Sequence, residues 1–351
     1  MKKKKVAVLF GGCSTEYEVS LKSAAAVIDN CCRDKYEIIL IGITREGKWF
    51  RYYGDTQKIE NDTWFLEGVC VEAIISPSRD VHGMIEFGSE GFCRTRIDVA
   101  FPVLHGKNGE DGTLQGLLEV AGIPFVGCDT LSSSMCMDKD IAHKIVGLEG
   151  IKTPNSICIT KPRDNQPALD FALQQGFPVY VKPANAGSSM GITKANCEAE
   201  LLAGMEKAFE HDRRVLIEEN IDGFEVGCAV LGSDKLLTGE VDEIELCGGF
   251  FDYREKYTLE TAKIHLPARI DERTTEKIKD TALIIYKALC CRGFARVDMF
   301  LTGQKEVVFN EINTIPGFTT KSRYPTMLCA VGLSYGEIID NLINFALRSG
   351  D

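Results

Sequence analysis

The stretch Arg296-Val-Asp298-Met-Phe, followed by Val308-Phe-Asn-Glu311-Ile-Asn313-Thr-Ile-Pro316-Gly317-Phe-Thr, decides how this chain is read. Short apolar, β-branched and aromatic runs lie on either side of Thr302-Gly-Gln-Lys-Glu306, which predicts two strands joined as a hairpin by a Gly-containing loop. The hairpin carries an Arg, two carboxylates and a side-chain amide. Facing carboxylates on paired strands make a hard-oxygen cage of the kind Mg²⁺ takes, and Asp298, Glu311 and the Asn313 amide leave positions for phosphate oxygens. The plain alternative is an edge hairpin with solvated acids, because Asp and Glu are usually exposed. The rest of the chain decides between the two.

At 351 residues the chain has room for two or three domains. Its net charge of -11 argues against nucleic acid or an anionic membrane surface as the main partner, so a phosphate ligand has to be held by local positive charge. No apolar run approaches the ~18 residues of a membrane span. Met1-Lys-Lys-Lys-Lys5 resembles a signal n-region, but the apolar run Val6 to Phe10 stops at Gly11-Gly12 and reads as a first strand. Fourteen Cys include no C-x-x-C pair, and the adjacent Cys31-Cys32 and Cys290-Cys291 cannot easily bridge each other. Most of them read as buried small apolar residues in a reducing cytosol, so the expected location is cytoplasmic.

Strand Val6–Phe10, a turn at Gly11-Gly-Cys-Ser-Thr15, a helix from Glu18 to Asn30, strands Tyr36–Ile43 and Val99–Phe101 and a helix Leu114–Ala121 closed by Gly122 alternate as in a parallel sheet with helices on its faces. This first unit is expected to span 1–132. A second, 133–220, opens with one helix from Ser132 to Leu148 capped by Gly150. It continues through strand Val179–Lys182, a loop to Gly191, a short strand at Ile192-Thr-Lys, helix Leu201–Phe209 and strand Val215–Ile217. The third, 221–351, is rich in strands and ends in helices Thr274–Leu289 and Tyr335–Leu347.

Lys139 and Lys182 are the natural phosphate partners. Lys182 leaves a strand just before Ala184-Asn-Ala-Gly187-Ser188-Ser189-Met-Gly191, a loop of small residues whose N–H groups can close over phosphates. It is not a Walker A loop. Gly187-Ser-Ser189-Met-Gly191 also matches G-x-S-x-G, but a nucleophile elbow needs a helix straight after the serine, and Ile192-Thr193 reads as strand. Glu218, Glu219, Ile221 and Glu225 follow a strand whose edge offers backbone groups to an adenine ring and carboxylates to ribose hydroxyls. His105-Gly-Lys-Asn-Gly109-Glu-Asp-Gly112 lies between a strand and a helix, and is either a ligand-facing loop or one anchored by a structural histidine.

Seven motifs, in order, resemble the D-alanine–D-alanine ligases: Gly11-Gly-x-Ser-x-Glu16-x-Glu18-Val-Ser20, His105-Gly-x-x-Gly-Glu-Asp-Gly112, Met137-Asp-Lys139, Lys182-Pro with Gly187-Ser-Ser189, Phe250-Phe-Asp-Tyr253-x-x-Lys256-Tyr257, Arg296-x-Asp298 and Glu311-x-Asn313-Thr-x-Pro-Gly317. The resemblance covers nearly the whole chain and is strongest to the D-alanine–D-serine ligases of vancomycin resistance, G type. It implies a three-domain ATP-grasp fold of α+β and α/β character. It also implies ATP-dependent joining of two D-amino acids through an acyl phosphate, two Mg²⁺ ions (with Mn²⁺ as a substitute), a homodimer, and D-alanine with D-serine as substrates. By position, Asp298, Glu311 and Asn313 would hold the metal, and Lys139 and Lys182 the phosphates, with Ser189 on the covering loop. Glu218, Glu219, Ile221 and Glu225 would receive adenine and ribose. Arg296 and the Gly317 N–H would stabilise the oxyanion, and Glu16 would bind the first ammonium. Ser188, Glu16 and Tyr257 would tie a loop shut, Lys256 would reach the transferred phosphate, and Ser322 would hold the second carboxylate.

The chain departs from the alanine ligases at Ala186, where they usually carry Glu, and at Phe251, where they usually carry Tyr. The lost phenol frees space near the second subsite, and serine needs room and one hydrogen-bond partner. Asp242 is the candidate acceptor, and Arg323 beside Ser322 fits the serine-ligase pattern. The retained Lys256-Tyr257 pair argues against a hydroxy-acid nucleophile. D-alanyl-D-alanine is the alternative product, and a catalytically inactive nucleotide-binding regulator is the alternative outside this class.

Overall fold

The computed structural model describes residues 2–161, 165–185, 187, 190–246 and 262–349. Three sheets organise them. In the first, strand Lys4–Gly11 pairs in parallel with Tyr36–Ile43 on one side and Val99–Pro102 on the other. These three are the strands expected from the strand–helix alternation. Both faces of Lys4–Gly11 are buried: Val6, Val8 and Phe10 pack under helix Tyr17–Asn30, and Ala7 and Leu9 under helix Thr113–Ala121. Gly11 has φ +90°, and a methyl there would lie 2.1 Å from the Ile43 carbonyl oxygen, so the turn out of the strand requires glycine. The sheet then continues as an antiparallel meander through Trp49–Tyr52, Cys70–Ile75, Gly83–Gly88 and Gly91–Arg96, so it is mixed rather than parallel throughout. Antiparallel strands can leave one face wet, and these are short and partly polar, so they lack the continuous apolar run that betrays a parallel strand.

The second sheet is antiparallel, in the order Thr193–Ala195, Val179–Pro183, Val215–Glu219, Ser156–Ile159. Helices Gln166–Gln175 and Glu198–Phe209 cover it with a separate core that includes Val179, Val181, Leu201, Met205 and Ile217. The third runs Ala262–His265, Asp242–Leu246, Gly223–Gly232, Gly293–Thr302, Val307–Asn313, all antiparallel, with Leu237–Thr238 paired to Gly223–Gly232. Helix Glu272–Ala288 packs on one part of it through Ile278, Ala282 and Ile285. Ala229 and Leu231 enter instead the core of the first sheet, together with Phe318, Tyr324 and the helix Tyr335–Ser349.

The single helix expected over 132–148 is two. Thr130–Met137 stops at Asp138, whose φ −88° and ψ 102° are not helical, and Lys139–Leu148 begins again. The cause is local: the Asp138 carboxylate accepts from the Ile141 N–H at 3.1 Å, offering the backbone a cap in place of a continuing turn. Apolar periodicity is the same on both sides of such a break, so the pattern alone does not reveal it.

Candidate active site

The hairpin forms as expected, with a feature that alternation does not show. Arg296 lies opposite Asn313 and Asp298 opposite Glu311, but Met299 lies opposite Phe309, so Asn310 is one residue extra. Strict alternation would put Phe309, Glu311 and Asn313 on one face. The bulge turns Phe309 into the core beside Met299 and leaves Glu311 and Asn313 on the face of Asp298. Arg296 donates to both oxygens of Asp298, through Nε at 2.8 and 3.1 Å and Nη2 at 2.7 Å. Asn313 donates its amide N–H to the same carboxylate at 2.9 Å, which leaves its carbonyl oxygen turned away from Asp298.

On the neighbouring strand, Gly227 sits between Asp298 on one side and Asp242 on the other. A side chain at 227 would stand where Arg323 lies: a methyl there would be 2.4 Å from Arg323 Nη2 and 2.8 Å from Asp242 Oδ1. Arg323 fills the gap, giving two 2.7 Å bonds to Asp242 and one of 2.8 Å to Glu225, with Nη1 3.4 Å from Asp298. Burial opposes its charge, but Asp242 and Asp298 outweigh it and hold the guanidinium above its usual range. Both oxygens of Asp242, the carboxylate expected to meet a substrate hydroxyl, accept from Arg323 and anchor the guanidinium. Burial pushes the Glu225 carboxyl up to about 7, with Arg323 pulling down and Asp298 and Glu311 pushing further up.

Lys139 opens its helix directly after the Asp138 cap. Arg214 bonds Asp138 and Asp140 on either side, and the Lys139 N–H donates to the Ala184 carbonyl at 2.9 Å, so the break is clamped to the second sheet. Lys139 Nζ lies 3.3 Å from Glu311. Lys182 Nζ lies 2.5 Å from Glu218. Burial would lower the Lys182 pKa, but Glu218 more than offsets it and the amine stays charged. Burial likewise pushes Glu218 up while Lys182 pulls it below the usual carboxylate range. Glu218 is thus the partner of the lysine, which its sequence position does not announce. His143 completes this group, and burial lowers its pKa and keeps it neutral. Its spacing of four from Lys139 on one helix was the available signal.

A cavity of about 580 Å³ lies between the second and third sheets, lined on one side by Lys139, Tyr180, Lys182 and Glu218 and on the other by Glu225, Ile244, Asp298, Phe300 and Glu311, with Glu219 and Ile221 also in its lining. Among the described residues no ready-made cluster of three His, Cys, Asp or Glu ligands appears. The donor set nevertheless fits a hard cation: two carboxylates and an amide carbonyl share one face, and their present partners are the cations Arg296, Arg323 and Lys139.

Glu16 is buried where two loops meet: a methyl at Gly106 would lie 2.5 Å, and one at Gly187 3.3 Å, from its Oε2. His105 bonds the Ile315 carbonyl at 2.8 Å and Ser23 at 3.2 Å, which anchors the segment after Asn313, and it also lines a smaller cavity of about 240 Å³ with Gly12, Ser14 and Lys107. Glu110 makes the companion bond to the Ile315 N–H at 3.0 Å. Gly317 approaches Ser322, whose hydroxyl bonds Thr319 at 3.0 and 2.8 Å. Ser188, Ser189, Phe251, Lys256 and Tyr257 lie outside the described residues.

The family model for the D-ala D-ala ligase N-terminus matches residues 5–128, and that for the C-terminus matches residues 146–344. The chain belongs to the D-alanine–D-alanine ligase family. The ligase is 54% identical to the VanG D-Ala:D-Ser ligase from Enterococcus faecalis, with a TM-score of 0.90 over 98% of this chain and 100% of that one. It is 31% identical to the D-alanine–D-alanine ligase from Bacillus anthracis complexed with ATP, with a TM-score of 0.74 over 100% and 99%. The vancomycin/teicoplanin A-type resistance protein VanA of Enterococcus faecium is 45% identical over 99% of this chain and 100% of its own length. The D-alanine–D-alanine ligase of Caldicellulosiruptor bescii is 44% identical over 99% and 96%. The ligase is therefore an ATP-dependent D-amino-acid ligase with the ATP-grasp fold that its motifs implied. No described helix is long and apolar enough to cross a membrane.

Proposed function

We propose that this ligase joins D-alanine to D-serine. ATP phosphorylates the carboxylate of the first D-alanine, releasing ADP. The amine of the second amino acid attacks that acyl carbon, and the tetrahedral adduct collapses with loss of phosphate and an amine proton. Lys139 and Lys182 hold the phosphates, Glu218, Glu219, Ile221 and Glu225 line the nucleotide's place, and Arg296 with the Gly317 N–H faces the developing oxyanion. Asp298, Glu311 and Asn313 would hold the Mg²⁺ ions, two in number, which when bound neutralise phosphate oxygens. Glu16 receives the first ammonium and Ser322 the second carboxylate; Ser188 and Ser189 from one segment, with Lys256 and Tyr257 from another, would exclude the water that would hydrolyse an acyl phosphate.

The observation that carries the D-serine reading is Arg323, buried next to Ser322 and fixed by Asp242. Its bonds to Asp242 and Glu225 leave guanidinium N–H groups over, so a substrate hydroxyl oxygen meets a donor that is already oriented. Phe251 in place of a tyrosine would leave the room. The VanG ligase, with D-Ser in its printed name, supports the same reading. The alanine ligases at 44% identity favour the second reading, D-alanyl-D-alanine, and rejection of an added hydroxyl reaches only ~10² in an apolar site. Either dipeptide would enter peptidoglycan precursors, and the serine product would change the terminus vancomycin recognises. The test is product analysis with equal D-serine and D-alanine, ATP and Mg²⁺ at neutral pH. D-alanyl-D-serine in excess is expected, and a dominant alanine dipeptide overturns the reading.

A further inference from the structure

His143 stands four residues after Lys139 on the same helix and is buried between the two sheets that line the cavity. Its Nε2 lies 2.8 Å from the Asn310 carbonyl, which can only accept, so Nε2 carries the hydrogen and donates. Asn310 is the extra residue of the bulge, without a partner across the hairpin. The Asn310 carbonyl, part-buried and outside the hairpin ladder, takes its hydrogen bond from the imidazole. The edge-to-face contact with Phe309, centroids 5.5 Å apart at 75°, fixes the ring plane. With the hydrogen on Nε2, Nδ1 presents a lone pair to Glu218 Oε1 at 3.7 Å. Two acceptors do not bond, so the Glu218 carboxylate is turned by its other oxygen onto Lys182.

We infer that His143 is a positioning residue for the bound nucleotide. One side of the ring holds the bulge that aims Glu311 at the cavity; the other offers Glu218 Oε1 no hydrogen, so Lys182 alone orients that carboxylate. A single side chain from the helix that carries Lys139 thereby fixes the bulge from which Glu311 faces the cavity. This rests on the ATP-dependent ligase activity and is independent of the second substrate's identity.

His143→Phe keeps a ring but removes both nitrogens, and His143→Gln keeps an amide N–H able to reach the Asn310 carbonyl. Binding of a non-hydrolysable ATP analogue, measured calorimetrically with and without Mg²⁺, is compared with KM for D-alanine and with thermal unfolding of the ligand-free protein. Outer residues that orient metal ligands commonly cost ~10–100-fold in affinity, and His143→Phe is expected to lose about tenfold or more for the analogue with Mg²⁺. KM for D-alanine stays within about twofold, and His143→Gln recovers most of the loss. Wild-type analogue affinity in His143→Phe overturns the inference, as does an equal loss in every substrate. If the phenylalanine variant does not fold, His143→Gln decides: near wild-type analogue affinity upholds the assignment, and a tenfold loss in a protein of unchanged Tm overturns it.

Discussion

Gly227 shows how much one absent side chain can determine. The space over its Cα is the seat of Arg323, between Asp242 and Asp298. The Gly227→Ala methyl meets atoms held in buried ion pairs, which cannot swing aside as an exposed chain end would. Displacing Arg323 is expected to cut the ratio of D-serine to D-alanine product about tenfold, equivalent to ~1.4 kcal/mol. An unchanged product ratio would separate Arg323 from specificity. Glu225 gives a pH test. Its folded pKa of about 7 lies above the unfolded 4.5, so the folded state keeps a proton that the unfolded state releases in that window. Ligand-free stability therefore falls as pH rises from 4.5 through 7. Glu225→Gln should flatten that fall in a plot of Tm against pH. The gathering of Arg296, Asp298, Glu311 and Asn313 on one hairpin was legible in the sequence because it follows from residue type and spacing. Gly227 and His143 were not, because their meaning lies in what stands opposite them on strands or helices far away in the chain.

At the scale of elements, the hairpin was readable and its bulge was not. The pattern Phe309, Glu311, Asn313 reads as one face, and only the pairing of Met299 with Phe309 shows that the face changes at Asn310. Phe309→Ala should destabilise by ~3–5 kcal/mol, as buried aromatic truncations do, measured by urea unfolding. Asn310 itself is expected to tolerate a change of side chain far better than deletion, which would restore strict alternation and turn Glu311 into the core. The helix break at Asp138 was hidden for the converse reason: a cap is one side-chain bond, and apolar periodicity runs through it unchanged. Asp138→Ala should lose ~0.5–2 kcal/mol through the cap. It should also weaken ATP-analogue binding, because the Arg214 clamp that seats Lys139 loses one of its two carboxylates.

Across the whole molecule the order of elements was visible wherever a strand is apolar along its length. The antiparallel meander after Trp49 was missed because its strands are short and partly exposed. Cations from one sheet face carboxylates of another across the cavity, so nucleotide and metal should act together on stability. Linkage gives ~2.7 kcal/mol at a ligand concentration 100 times Kd. The ATP analogue with Mg²⁺ should raise Tm clearly more than the analogue with a chelator, and equal shifts would count against metal binding at Asp298 and Glu311.

The core beneath the first sheet draws on both extremes of the sequence. Val6, Val8 and Phe10 share it with Ile338, Leu342 and Ala346, and Asp340 bonds Tyr36 and reaches Lys35 at 2.8 Å. During synthesis on the ribosome, helix Tyr17–Asn30 can cover the opening strands early, but the core beneath them stays incomplete until the helix Tyr335–Ser349 has left the exit tunnel. The segment Ser156–Glu219, which closes its own core from neighbours in sequence, is free to fold long before.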